Sequence, residues 1–142
     1  MDILATTFNF SGLTQETGLR EKTFDFLIKL MAHRNQLRII HWQTTSYAEH
    51  MMTNGLLGDL DDIIDTMGEY IIGTLGRPQI PTVNNTISDI TLKNAKNVLD
   101  CLDTLSKEML AEFKITEYEG MINLLGEFDD IIKKYKYLST LE

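Results

Sequence analysis

Long apolar side chains recur at helical spacing in four stretches of the chain, separated by segments rich in polar residues, glycine or proline. The first runs from about Thr17 to Trp42, with Phe24, Leu27, Leu30, Met31, Leu37, Ile40 and Trp42 and no proline, which predicts an amphipathic helix of about seven turns. Its polar group at 33–36 interrupts the stripe, as a solvated patch in a free monomer or as interface in an oligomer. The second runs from Tyr47 to about Thr74 through Leu56, Leu57, Leu60, Ile63, Ile64, Met67, Ile71 and Ile72. Ser46 is its expected N-cap, with Glu49 completing a capping box. Glycines at 55, 58, 68 and 73 each cost a helix about 1 kcal/mol relative to alanine, which implies close helix packing.

Gly76 and Pro78 end that pattern and Pro81 forbids an early restart, so residues 76 to 90 are expected to be a long connection. A third helix follows from about Thr91 to Phe113, on the stripe Ala95, Val98, Leu99, Leu102, Leu105, Met109 and Phe113. Thr116 and Glu119 make a second capping box, opening a fourth helix that runs to about Leu138 along Met121, Leu124, Leu125, Phe128, Ile131, Ile132 and Tyr135. Two tightly turned helix pairs joined by one long crossover between helices 2 and 3 predict an all-α, ferritin-like four-helix bundle. Residues 1–16, which carry Asp2 and Glu16 and no Lys or Arg, are expected to form an N-terminal arm. The bundle domain is expected over 17–142.

At 142 residues the chain is long enough for one unstapled core, and a single cysteine, Cys101, excludes an intramolecular disulfide framework. On a helix, that thiol is expected to be buried and inert. The first ten residues lack a basic n-region and no stretch reaches membrane-span length, so a cytoplasmic protein is expected, without a membrane partner. A formal net charge of −8 argues against nucleic acid as a partner and suits a surface that attracts cations.

Candidate chemistry lies in the stretch His41–Glu69. With a helix starting near Tyr47, Asn54, Asp61, Asp65 and Glu69 lie at about 40°, 20°, 60° and 100° from His50, all on one face. Along the axis, however, His50 and Asp65 are separated by about 22 Å, which no two side chains span to hold one ion. Two unrelated half-sites remain, or a second copy running antiparallel brings its Asp65 and Glu69 to this chain's His50. Imidazole and carboxylate ligands suit iron, manganese or zinc, and the lack of clustered cysteines disfavours thiolate zinc and iron–sulfur sites. Each piece also has a plainer reading. His50 alone is a solvated or capping residue, Asp65 and Glu69 are an exposed helix face, Asp61 is part of a solvated carboxylate run, and His41 complements the negative end of the first helix.

The order His41-Trp42, then His50, then Asp65 and Glu69 four apart, then Gly76-Arg77-Pro78, resembles the Dps-type miniferritins of the ferritin-like superfamily. The resemblance covers about residues 17 to 138, and its specific part is confined to 41–78. It implies a ferroxidase centre between two subunits, with His41 and His50 from one chain and Asp65 and Glu69 from the other. It also implies twelve subunits forming a hollow shell in which Fe(II), oxidised by peroxide or oxygen, is stored. Two positions depart from that pattern. The gap from His41 to His50 is about three residues shorter than usual, and Asn54 stands where the family often has a carboxylate. Asn54 and Asp61 are thus the weaker ligand candidates. The HWQT and AEH segments also resemble those of small tailed-bacteriophage proteins, which implies no particular activity. The alternative is therefore a non-enzymatic helical oligomer, structural or host-interacting, with a degenerate metal site.

Overall fold

A computed structural model describes residues 3–78 and 94–141, with side chains from residue 18 onward. All regular structure among them is helical: α1 (Ile3–Gln43), α2 (Tyr47–Leu75), α3 (Ala95–Phe113) and α4 (Glu119–Leu138). α1 packs on α2 and α3, and α4 packs on α2 and α3, so the four stand in a ring about one core. Each helix contributes one stripe to it, including Leu30 and Leu37, Leu56, Leu60 and Met67, Leu99 and Leu102, and Met121 and Phe128, all fully buried. Each such side chain stabilises the fold by about 1.5–3 kcal/mol.

Neighbouring helices run antiparallel. His41 meets His50 and Arg34 meets Asp61 between α1 and α2, and Lys22 pairs with Glu112 between α1 and α3. Tyr135 reaches Asp59 between α2 and α4, and Lys136 reaches Asp103 between α3 and α4. Gly76 therefore lies beside Arg20 at one end, while Glu49 accepts from the Ala95 amide at the other. The two residues that bound the second interhelix segment stand a full α2 apart, about 43 Å. Most of the expected crossover, and the expected start of helix 3 at Thr91, fall on 79–93, outside the described residues.

The helix boundaries follow local chemistry. Ser46 caps α2, its hydroxyl accepting the Glu49 amide at 3.2 Å, worth about 1 kcal/mol. Glu49 does not close a capping box; its carboxylate caps the first amide of α3 instead, at 3.4 Å. Gly76 ends α2 at φ 90°, a conformation that favours glycine, with its amide on the Ile72 carbonyl. The expected capping box at Thr116 is absent: its hydroxyl is bonded to Phe113 O, and Tyr118 is the N-cap of α4. α1 also reaches back to Ile3, so most of the expected arm continues the helix, as a segment without proline can.

Two residues of the expected first stripe lie outside the core. Met31 and Trp42 are 46% and 71% exposed, because they sit on the edge of α1 that borders α2 and solvent, while Phe26, absent from the expected stripe, is buried. Of the glycines in α2, Gly55 fits the close-packing expectation: a Cβ there would lie 2.9 Å from the Tyr135 hydroxyl. Gly58 and Gly73 face open space, and Gly68 meets only Leu27, at 3.9 Å. Cys101 is half-buried rather than fully so.

Candidate metal centre

The turn between α1 and α2 is only Thr44, Thr45 and Ser46, so residues just before and just after it are level with one another. His41, in the last turn of α1, is 8% exposed, and His50, in the first turn of α2, is exposed. Their rings stack, with centroids 3.9 Å apart and planes inclined by 17°. His41 Nδ1 lies 2.9 Å from the His50 carbonyl, and His50 Nδ1 lies 3.0 Å from the His41 carbonyl. A carbonyl oxygen can only accept, so in both rings Nδ1 carries the proton and donates. Each neutral ring then has its lone pair on Nε2, the nitrogen left for a ligand or a metal ion.

Thr53 completes the arrangement. It is fully buried on α2, its hydroxyl donating to backbone carbonyls of Glu49 and His50 at 2.8 and 3.1 Å and accepting from His41 Nδ1 at 3.0 Å. An Nδ1–H held on a backbone carbonyl is the way protein metal sites usually fix the tautomer and orientation of a histidine ligand. Sequence reasoning passed over Thr53. Its signal is a polar residue on the buried side of α2, one turn from His50.

The carboxylates lie elsewhere. Asp65 and Glu69 are exposed on α2, with no hydrogen bond or ion pair among the described residues, and Asn54 is exposed one turn from His50. No three of His, Cys, Asp or Glu come together as a metal-holding group among the described residues of one chain. Asp61 is committed to a fork from Arg34, with Nε–Oδ1 at 2.7 Å and Nη2–Oδ2 at 3.0 Å. That bond, and then the charges of Arg34 and Arg38, hold the Asp61 carboxyl below its ordinary range. Each of its oxygens thus already accepts one bond from Arg34, in an ion pair between α1 and α2 within the chain.

The most strongly perturbed carboxyl is structural. Asp103, nearly buried at the α3–α4 seam, accepts from Lys136 at 2.8 Å and Lys133 at 2.9 Å, which push its pKa far below the carboxylate range and raise both lysines. Tyr135 is raised in turn, by burial first and then by its 2.6 Å bond to Asp59.

No helix among the described residues is long and apolar enough to cross a membrane. No solved structure matches the chain. It is 30% identical over 136 residues to a protein of Enterobacteria phage T4, described as an uncharacterized 14.6 kDa protein in the mobD-ri intergenic region, covering 94% of this chain and 98% of that protein. A family of unknown function, DUF5856, matches residues 41–138, from the first stacked histidine to the end of α4. The chain belongs to that family.

Proposed function

We propose that the protein is a ferritin-like, iron-handling oligomer in which Fe(II) binds between two copies of the chain and is oxidised there. His41 and His50 of one copy face Asp65 and Glu69 of the other. The observation that carries this reading is the reciprocal Nδ1 bonding of the two histidines, which reserves both Nε2 atoms. Two exposed, unpartnered carboxylates on the same helix supply the charge that Fe(III) needs. Iron is substrate and cargo. Each Fe(II) gives up one electron, and a peroxide that takes two of them, with two protons, leaves as two waters.

The ring stack bears on stoichiometry. A nitrogen lone pair lies in its ring plane, and planes inclined by 17° do not converge within bonding distance. The two histidines therefore serve two ions rather than one. Asn54 contributes a neutral oxygen where a further carboxylate would strengthen binding.

Purified protein is expected to accelerate Fe(II) oxidation by peroxide, and to run by light scattering as a twelve-subunit particle. Asp65→Ala with Glu69→Ala should abolish the oxidation and leave the helicity unchanged, because both side chains are exposed and unpaired within their own chain. An unchanged oxidation rate in the double variant refutes the proposal. A second reading is favoured by the same hydrogen bonds: a lock that stacks His41 on His50 closes the α1–α2 turn without any metal, as in a non-enzymatic oligomer such as a phage component. It predicts no stoichiometric binding of Fe(II), Mn(II) or Zn(II) by titration calorimetry.

A further inference from the structure

The structure assigns to Thr53 the task of making the two stacked histidines unequal: its hydroxyl pins the His41 ring in place and leaves the His50 ring free to turn. Toward metal this rests on the reading above, to which it adds a positioning residue that touches no ion and acts only through His41.

A threonine inside a helix commonly turns its hydroxyl back onto its own helix. Thr23, Thr66, Thr74 and Thr104 do so, each bonding the carbonyl four residues earlier. Thr53 does the same to Glu49 at 2.8 Å, but its oxygen is also 3.0 Å from His41 Nδ1, on the neighbouring helix. A hydroxyl has one proton to give and two lone pairs. With that proton spent on the α2 carbonyls of Glu49 and His50, the oxygen accepts from His41, and it too requires the proton on Nδ1. The Nδ1–H of His41 is therefore shared between two acceptors, the His50 carbonyl at 2.9 Å and the Thr53 hydroxyl.

His50 has no second hold. Its Nδ1–H meets the His41 carbonyl alone, at 3.0 Å, and the residue is exposed. Turning His50 outward breaks one bond and delivers the ring to water. Turning His41 breaks two, in a residue only 8% exposed, and leaves a lone pair of the fully buried Thr53 without a donor. His41 Nε2 is thus fixed before an ion arrives, whereas His50 Nε2 is placed by the ion itself. A ligand already held in position binds more tightly, because less freedom is lost on binding.

Thr53→Val keeps the branched shape and removes the acceptor, while the Glu49 and His50 carbonyls keep their helix amides. Thr53→Ser restores the oxygen. In metal-free protein labelled with 15N-histidine, exchange of each Nδ1–H with water is read by NMR at a single neutral pH, with signals assigned through His33→Gln and His50→Gln. In the wild type and in Thr53→Ser, His41 should exchange on the order of tenfold more slowly than His50, and in Thr53→Val most of that difference should vanish through faster exchange at His41 alone. Equal exchange at the two histidines in the wild type, an unchanged His41 rate in Thr53→Val, or an equal acceleration of both rings overturns the assignment. Zn(II), which is not oxidised, is then titrated into the same samples. His41 Nε2 should saturate at lower zinc than His50 Nε2, and Thr53→Val should weaken the His41 site by about tenfold, as loss of a ligand's hydrogen-bond partner does. Equal weakening at both histidines overturns the assignment. If zinc moves neither signal while the exchange rates behave as expected, the metal reading falls and Thr53 still pins His41.

Discussion

The His41–His50 pair allows its structural and chemical roles to be separated at one position. His50→Ala removes the Nδ1 donor 3.0 Å from the His41 carbonyl and the ring stacked 3.9 Å from His41. The hydrogen bond contributes about 0.5–1.5 kcal/mol and the ring contact a similar amount, so the variant should lose about 1–3 kcal/mol. For a chain of this size that lowers the melting temperature by about 3 to 10 °C. His50→Asn is the informative companion. Its amide nitrogen can stand where Nδ1 stood and donate to the same carbonyl, but it has nothing in the place of Nε2. About half of the stability lost in His50→Ala should return, while Fe(II) oxidation stays absent. Thermal melts followed by circular dichroism and stopped-flow absorbance of ferric product read the two effects separately. Equal instability in the two variants refutes the reciprocal bond, and wild-type oxidation by His50→Asn refutes the ligand role.

Other consequences follow from the packing. Asp103→Asn gives up charge-assisted bonds from Lys136 and Lys133 and should cost about 1.5–3 kcal/mol in urea denaturation at pH 7. Because the folded pKa of Asp103 is depressed, its contribution is complete above the ordinary value near 4 and is lost as pH falls below it. The gap between the two proteins should therefore narrow below about pH 4, and a constant gap down to pH 2.5 speaks against the ion cluster. Gly120→Ala and Gly55→Ala should both destabilise despite better helix propensity, since the new methyl meets the Tyr70 ring or the Tyr135 hydroxyl. Gly126→Ala, with nothing within 4 Å, should gain up to about 1 kcal/mol in the same assay.

Periodicity made the four helices legible because each buries a single stripe, and Ser46, Gly76 and the three-residue turn after Gln43 marked ends by local chemistry alone. The same periodicity misplaced Met31 and Trp42. An apolar residue at the boundary between core and outer face has the spacing of a core residue, and only the position of the neighbouring helix decides on which side it falls. Capping was legible where the partner is the helix itself and not where it is distant. Glu49 leaves the Ser46 box for an amide 46 residues away, and nothing local to Glu49 announces Ala95. Asp61 is similar: it shares a face with His50, but its strongest partner is Arg34 on the facing helix, which donates to both its oxygens.

The short gap from His41 to His50 is also the reason the histidines lock. With three residues in the turn, the last turn of α1 and the first turn of α2 are level, so each imidazole reaches the other's carbonyl. A longer turn would offset the two rings along the helices and break at least one of those bonds. The lock consumes Nδ1 of both rings and leaves Nε2 of both, so closing the turn and binding a metal draw on different atoms and do not compete. Stability alone therefore cannot distinguish an iron site from a structural pair; only a change confined to Nε2 can. Asp65 and Glu69 give the complementary case. They hold nothing within their own chain, so any effect of removing them must come from chemistry or from a second copy.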